Sequence, residues 1–551
     1  MTVRTGADAA ATTAAQAQAG EIAPQGTAGW STLLVFALRR ERVTLPCWVA
    51  GIGALLAFQS VSSQNLYDTA EKLRQLRSTM GSNAAAVAMG GPTGLLDSIG
   101  GEVLFEIFAY IAVVTGLMSM FLIGRHTRAD EETGRAELLR SARVGRRAPV
   151  TAALALAGIG NAAVGVTLFA VGVATGLPVS GALLTGVAIA GIGITFASAT
   201  VVAAQVADAS RVVYGTATFL IAAAYVLRAI GDVGDGRAAW LSPIGWGQRT
   251  YPFVEDRWWP VALFAIVSAV LIALAFVLLE RRDFGAGLVR SGRGRAEASR
   301  WLSSPLGLAW RLQRGAFIAW ACGVFLLGVA YGSFAQNIEE FLADNPAIAE
   351  YLPGGVEDAV DSYLALTLGL TTLLAAAFGI SSALRARSEE TAGSAEPLLA
   401  GPVGRTRWLG SHLMVAFLGG AVVTAAGGLG EGLVHGMTTD DARQLWRLTI
   451  AALVHLPAVW IVLGVAVLVF GWLPRLGAVV TWAFFAYCVV SVLFAEAFDL
   501  PSWFDEASPW SHTPQAPLES ASITSAAVLL AIAAVSVVAG IAGFRHRDTG
   551  Y

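Results

Sequence analysis

Lysine is almost absent from this sequence of 551 residues, in which Lys72 is the only one. A phosphate-binding P-loop needs a lysine directly after its glycine-rich turn. Lys72 stands instead in the stretch Ala70-Glu71-Lys72-Leu73. The sequence therefore contains no P-loop, which excludes ATP hydrolysis by that route within the chain.

Charged residues are also scarce, at 14% of the chain, whereas 55% of its residues are hydrophobic. The mean hydropathy is +0.63. This composition argues against a soluble globular protein. We predict an all-α integral membrane protein that crosses the bilayer many times.

Cysteine and histidine provide no chemical site that the sequence can identify. The three cysteines, Cys47, Cys322 and Cys488, lie in apolar runs, where a cysteine usually packs as a small hydrophobic residue. The six histidines form no HExxH pair, which argues against a zinc site. No stretch between the apolar runs is long enough for a soluble catalytic domain. We therefore expect no catalytic residue, metal or cofactor in this chain.

Ionisable residues within the apolar runs are sparse. Glu106, Arg228 and the pair Glu431 and His435 lie near the ends of their runs, so their side chains are expected to reach water. His455 lies deeper, and we interpret it as a structural, hydrogen-bonded residue. Because an ion-coupled carrier normally keeps buried ionisable groups for use, the sequence does not support a proton relay.

The apolar runs predict about twelve transmembrane helices. A hydrocarbon core about 30 Å thick requires roughly 20 apolar residues per helix. The first six predicted spans are 43–61, 103–123, 150–173, 181–207, 212–230 and 260–279. The second six are 315–333, 363–384, 412–434, 447–471, 475–495 and 523–544.

The spans form two sets of six. An even number returns the chain to its starting side, so the two halves are expected to be parallel repeats related by an axis along the membrane normal. The predicted organisation is a disordered cytoplasmic tail at 1–29, a first half at 30–290, a cytoplasmic linker at 291–304 and a second half at 305–551. Arginine-rich loops and acidic loops alternate, which by the positive-inside rule places both termini in the cytoplasm.

A basic segment precedes each half. The first, at 30–42, is too short to cross the bilayer, and we expect it to lie along the inner membrane interface. A similar interfacial element is predicted at 308–320, where Arg311, Arg314 and Trp320 match Arg39, Arg42 and Trp48 at one offset.

One polar segment occurs twice in the sequence, between the second and third predicted spans of each half. Glu131 to Arg146 recurs as Glu389 to Arg405, with one additional residue, Ala392, so that from Gly134 onward the second copy lies 259 residues later. Ordinary loops do not repeat at a constant spacing, so we predict that these residues are functional. They are Glu131, Glu132, Gly134, Glu137, Leu138, Leu139, Val144 and Arg146 in the first copy, and Glu389, Glu390, Gly393, Glu396, Leu398, Leu399, Pro402, Val403 and Arg405 in the second.

This repeated segment resembles the coupling-helix loop of ABC-2 type transporter permeases. The similarity is closest to the actinobacterial permeases described as exporters of polyketide antibiotics or multidrug efflux proteins, in which two six-span halves are fused. Ser242-Pro243, Gly245-Trp246 and the closing stretch from Gly543 to Asp548 add to the resemblance.

The resemblance implies that each segment is a short helix docked in a groove of a separate ATP-binding subunit, present in two copies. ATP and Mg²⁺ would be bound by that partner and not by this chain. Glu137 and Glu396 would supply charge, while Leu138, Leu139, Leu398 and Leu399 would supply an apolar anchor. The chain would export hydrophobic or amphipathic small molecules such as antibiotics across the cell membrane. Its partners would be the ATP-binding subunit, lipid and substrate, with no nucleic acid.

Three other classes stay open at this point. An ion-coupled twelve-span multidrug carrier would share the two-half organisation. A membrane-embedded transferase would need a cluster of acids or histidines near one face, whereas the acidic residues here are scattered. A non-transporting membrane protein that binds a drug and confers immunity would bind without moving its ligand.

Overall fold

The computed structural model describes residues 26–67, 69–135, 137, 144–283, 285–289, 297, 299–344, 355–494, 501–519 and 522–547. Most of the predicted tail, at 1–25, and part of the predicted linker, at 291–296 and 298, lie outside these residues. The described part of the chain is helical and contains no strand. The chain divides into two compact units, 1–293 and 294–551.

The first unit contains eleven described α-helices. In chain order, α1 to α6 are Trp30–Arg40, Thr44–Leu66, Ala70–Met80, Ala84–Met89, Ile99–His126 and Arg128–Glu132. They are followed by α7 to α11, which are Ala148–Ala174, Val179–Val206, Ser210–Val233, Pro243–Gln248 and Val261–Arg281. The most buried of the long helices are α5 and α8, whose side chains form the centre of the apolar core.

The second unit contains ten described α-helices. In chain order, α12 to α16 are Pro305–Asp344, Gly355–Ala383, Arg385–Thr391, Glu396–Leu399 and Arg405–Thr438. They are followed by α17 to α21, which are Arg443–Val454, Leu456–Trp472, Gly477–Phe494, Ser502–Glu506 and Ile523–His546. Side chains from α13, α16 and α18 form the main apolar core of this unit.

Eleven stretches in the described part of the chain are long and apolar enough to cross a membrane. They are Thr44–Leu66, Ile99–Glu132, Ala148–Ala174, Val179–Val206, Ser210–Val233, Val261–Arg281, Pro305–Ala335, Ala359–Thr391, Arg405–Thr438, Arg443–Trp472 and Ile523–His546. The remaining predicted span, 475–495, coincides with a shorter apolar helix, Gly477–Leu493. The prediction of an all-α membrane protein is confirmed.

Two local predictions differ from the structure, and the presence or absence of a proline explains each difference. In the first unit, α1 ends before Pro46, which cannot donate a helical hydrogen bond and crowds the preceding turn. The equivalent position in the second unit is Ile318, so α12 continues unbroken and the separate interfacial element predicted at 308–320 is wrong. The predicted span 447–471 is interrupted at His455, two residues before Pro457.

Helices α12 and α16 approach each other through glycine. A Cβ atom added at Gly328 would lie 2.2 Å from the carbonyl oxygen of Gly427, and one added at Gly430 would lie 2.1 Å from that of Phe325. No side chain larger than hydrogen fits at this backbone contact. Small residues commonly allow such close helix packing in membranes.

We expect Gly430→Ala to destabilise the protein because the added methyl group forces α12 and α16 apart, at a cost of about 1–3 kcal/mol. Gly410→Ala is the matched control on the same helix, since its added Cβ meets no atom within 4 Å. The measurement is the midpoint of thermal unfolding of the full chain in detergent. Equal midpoints for the two variants would contradict the backbone contact.

Candidate functional site

The two copies of the repeated segment share one backbone turn. Gly134 and Gly393 both have φ of 71°, a left-handed conformation that glycine adopts without strain. The amide of Gly134 donates to the carbonyl of Glu131 at 3.2 Å, and that of Gly393 donates to Glu390 at 3.1 Å. The turn therefore aligns Glu131 with Glu390 at the same offset of 259 residues as the glycines, so that Glu132 corresponds to Thr391 and no additional residue lies between the acid and the glycine.

In the first unit, this turn is tied to the end of the last long helix. Arg282 immediately follows α11, and its guanidinium donates to both carboxylate oxygens of Glu131, with one contact at 3.0 Å. Arg128, which is fully buried, pairs with the same carboxylate. The Arg282 side chain is 5% exposed, so the pair is largely shielded from solvent.

The second unit contains the equivalent contact. Arg547 immediately follows α21 and donates to the carboxylate of Glu390. Its guanidinium also lies over the rings of Phe470 and Phe544, at 4.6 and 5.0 Å from their centroids. Burial lowers the pKa of Arg547, and the charge of Glu390 opposes this shift. We refer to the pairs Glu131–Arg282 and Glu390–Arg547 as the two clamps.

A second arginine strengthens each clamp. Arg146 donates to the carbonyl of Leu279 at 2.8 Å and also to that of Arg282. Arg405, its counterpart in the repeat, donates to the carbonyl of Arg547 at 2.9 Å. Because the last carbonyls of a helix lack partners within the helix, these arginines stabilise the ends of α11 and α21.

Two other acids of the repeat have partners inside their own unit. Glu132 accepts from the backbone amide of Ser210 at 2.7 Å, at the start of α9, where a helix dipole favours negative charge. Glu389 is 7% exposed and lies 3.4 Å from both Arg385 and His412. These acids hold the segments in place.

Other predicted residues lie at the surface. Glu137 and Glu396 are exposed, and the amide of each donates to the carbonyl of the glycine three residues earlier, at 3.1 and 3.3 Å. Pro402 is exposed as well, and Val144 is partly buried. Leu138 and Leu139 lie outside the described residues.

The leucines of the second copy are not fully exposed, in contrast to the apolar anchor expected for docking on a partner. Leu398, Leu399 and Val403 are partly buried and pack against the core that contains Trp408. Leu398 and Val403 also line a small cavity of about 70 Å³ beside the start of α12. The segment therefore presents one exposed face and one face packed on its own unit.

Sequence reasoning missed Arg282 and Arg547. Each is separated from its glutamate by more than 150 residues, so the sequence gives no spacing that links the partners. A signal is nevertheless present, because each arginine directly follows the last long helix of its half.

The expectation that the ionisable residues near span ends reach water is wrong for three of them. Glu431 and Arg228 are 0% exposed, and His435 is 4% exposed. These residues are near the ends of their helices in sequence, but neighbouring helices pack over those ends. His455 is buried, with its Nδ1 atom 3.2 Å from the carbonyl of Ala451, in agreement with a structural role.

Comparison with known proteins places this arrangement in a family. Residues 31–279 and 302–545 match the family described as multidrug efflux system permease Rv1217c, C-terminal domain. The chain is 37% identical over 541 residues to the multidrug efflux system permease protein Rv1217c of Mycobacterium tuberculosis (strain ATCC 25618 / H37Rv). That alignment covers 96% of this chain and 97% of the relative. The chain belongs to this permease family.

Membership of the permease family has two consequences. The recognition made from the repeated segment is confirmed, and the chain is a transporter component that crosses the membrane several times. Both repeated segments lie inside the ranges that match the family.

We expect Glu390→Gln to destabilise the second unit, because it leaves the largely buried guanidinium of Arg547 without its counter-charge, at a cost of about 3 kcal/mol. Arg547→Met in the same chain should recover part of this loss, since the apolar stem between the two phenylalanines remains. Thermal unfolding midpoints of the two single variants and the double variant form a mutant cycle. Losses that simply add would show that the clamp contributes no coupling energy.

Proposed function

We propose that this permease is the membrane subunit of an ATP-driven exporter of the ABC-2 type. A separate ATP-binding subunit would dock on the two repeated segments and supply the energy. The observation that carries this proposal is the clamp in each unit, which connects a surface turn to the end of a long apolar helix. A force applied to the turn would act directly on that helix.

The partner is expected in two copies, because the chain offers two segments with the same glycine turn. ATP and Mg²⁺ would be bound by the partner, since this sequence contains no P-loop lysine. The exposed acids Glu137 and Glu396 are the residues that we assign to docking. Because the first segment has Arg143 where the second has Pro402, we expect the two contacts to differ in strength.

The substrates that we propose are hydrophobic or amphipathic small molecules such as antibiotics and other drugs, moved out of the cell. This proposal is supported by the relative that is named as a multidrug efflux system permease. The arginine-rich loops support a cell-membrane location with both termini in the cytoplasm.

Purification of the tagged chain from its own membranes in a mild detergent tests the partner. We expect a P-loop ATPase to copurify at about two copies per chain, together with ATP hydrolysis. A chain that purifies alone and gains no ATPase activity with any cytoplasmic fraction would contradict the proposal.

We expect the double variant Glu137→Ala with Glu396→Ala to abolish drug efflux and to lose the copurifying ATPase, because it removes one exposed charge from each docking turn. Membrane insertion and thermal stability should be unchanged. Glu71→Ala with Glu519→Ala is the matched control, since it removes two exposed acids elsewhere. Normal efflux in the first double variant would exclude the assigned docking residues.

An ion-coupled carrier is the second candidate, favoured by the buried Glu431. One of its carboxylate oxygens accepts from Thr367 at 2.6 Å, and the other has no hydrogen-bond partner among the described residues. Buried acids in membrane helices commonly serve ion translocation. Efflux from cells depleted of ATP but holding a proton gradient would favour this candidate, and retention of a drug without export would indicate a binding or immunity protein.

A further inference from the structure

The first unit contains two acids that the proposed coupling mechanism does not use. Glu102 and Glu106 lie one helical turn apart on α5, so they share a helix face. Glu102 is 0% exposed, and among the described residues its carboxyl group has only the hydroxyl of Ser63 and the carboxyl of Glu106 within hydrogen-bonding reach, with no cation. Glu106 accepts from the amide of Gln59 on α2. Uncompensated carboxylates are costly in a membrane protein.

The groups around these acids are neutral. Ser63 and Gln59 contribute a hydroxyl and an amide from α2. Tyr67 lies beside both acids, and burial followed by their negative charge raises the pKa of its hydroxyl to about 12. Tyr67 therefore stays protonated at neutral pH. None of the ion pairs described for this chain involves Glu102 or Glu106.

The acid at the equivalent position of the second unit has a cationic partner. The backbone turn aligns the two units at an offset of 259 residues, and this offset pairs Glu102 with Asp361. Asp361 is also largely buried, but it pairs with Arg447. Among the residues that the structure describes, no cation pairs with Glu102 in the way that Arg447 pairs with Asp361.

An apolar groove runs along the same two helices. It is lined by Thr44, Cys47, Trp48, Gly51, Ile52, Leu55 and Val114, and its volume is about 330 Å³. Trp48 stacks on Phe121 at one level of the helix pair, and Gln59 bonds to Glu106 at another. These levels are about 16 Å apart along α2, and Leu55 is about 6 Å from the level of Gln59. The groove therefore extends towards the acids.

We propose that this groove and the acids Glu102 and Glu106 form a binding site for an amphipathic amine. The apolar body of the ligand lies along Trp48, Gly51 and Leu55, and its ammonium group is received by the two carboxylates. The size and apolar lining of the groove match a small drug-like molecule. This assignment rests on the proposed export function and adds cationic amphiphiles as a substrate class.

The test is a fluorescence titration of the full chain in lipid nanodiscs without an ATP-binding subunit. The probes are a dansyl alkylamine and its uncharged N-acetyl analogue. We expect the amine to bind at least about tenfold more tightly than the analogue. Glu102→Gln with Glu106→Gln should remove this preference while the affinity for the analogue is unchanged, which also verifies that the groove is folded. Glu431→Gln is the control for loss of a buried acid elsewhere.

Leu55→Trp should weaken binding of both probes because the larger side chain fills the groove. Equal affinities in the unmodified chain, or a preference for the amine that survives in the double glutamine variant, would overturn the proposal. Saturable Na⁺ binding lost in that variant, without any preference for the amine, would also overturn it. Because no ATPase is present, these results are independent of whether an ATP-binding subunit copurifies.

Discussion

The charge pair between a glutamate at a surface turn and an arginine at the end of a long apolar helix is the contact on which the organisation of each unit depends. A guanidinium held against a carboxylate in a partly buried site has a defined geometry and is costly to separate. Arg146 and Arg405 add hydrogen bonds to the last carbonyls of the same helices. The turn is therefore tied to the helix end by several contacts, as the proposed transmission of a displacement from the surface into the membrane-spanning part requires.

The two clamps are equivalent in position but different in composition. In the first unit, Glu131 has two arginine partners, Arg128 and Arg282. In the second, Glu390 receives Arg547, which is also held by two aromatic rings. Charge alone thus compensates one glutamate, whereas ring packing fixes the cation at the other. The same connection can be kept by different contacts, which allows the two surface turns to diverge in their exposed residues.

Much of this structure could be predicted from sequence because hydrophobic length and repetition are local signals. The long apolar helices follow from such patterns. The clamps could not be predicted, since Arg282 and Arg547 meet their glutamates only through the packing of helices that are distant in sequence. The burial of Glu431 was missed for the same reason: a position near a helix end indicates water only when no neighbouring helix covers it. The break before Pro46 is a local effect, because proline acts on its own helix, although the predicted span 43–61 did not use it.

Glu102 and Glu106 in the first unit cannot stay charged and buried without a compensating cation. Glu102 is enclosed without a cation from the described residues, whereas Asp361 at the equivalent position of the repeat has Arg447. Such an acid must either remain protonated or receive a positive charge from outside the chain. Two carboxyl groups one turn apart can share a proton, but a shared proton makes no use of the adjoining apolar groove. A ligand that carries both a cation and an apolar body uses all three features, and for that reason the pair and the groove are best understood as parts of one site.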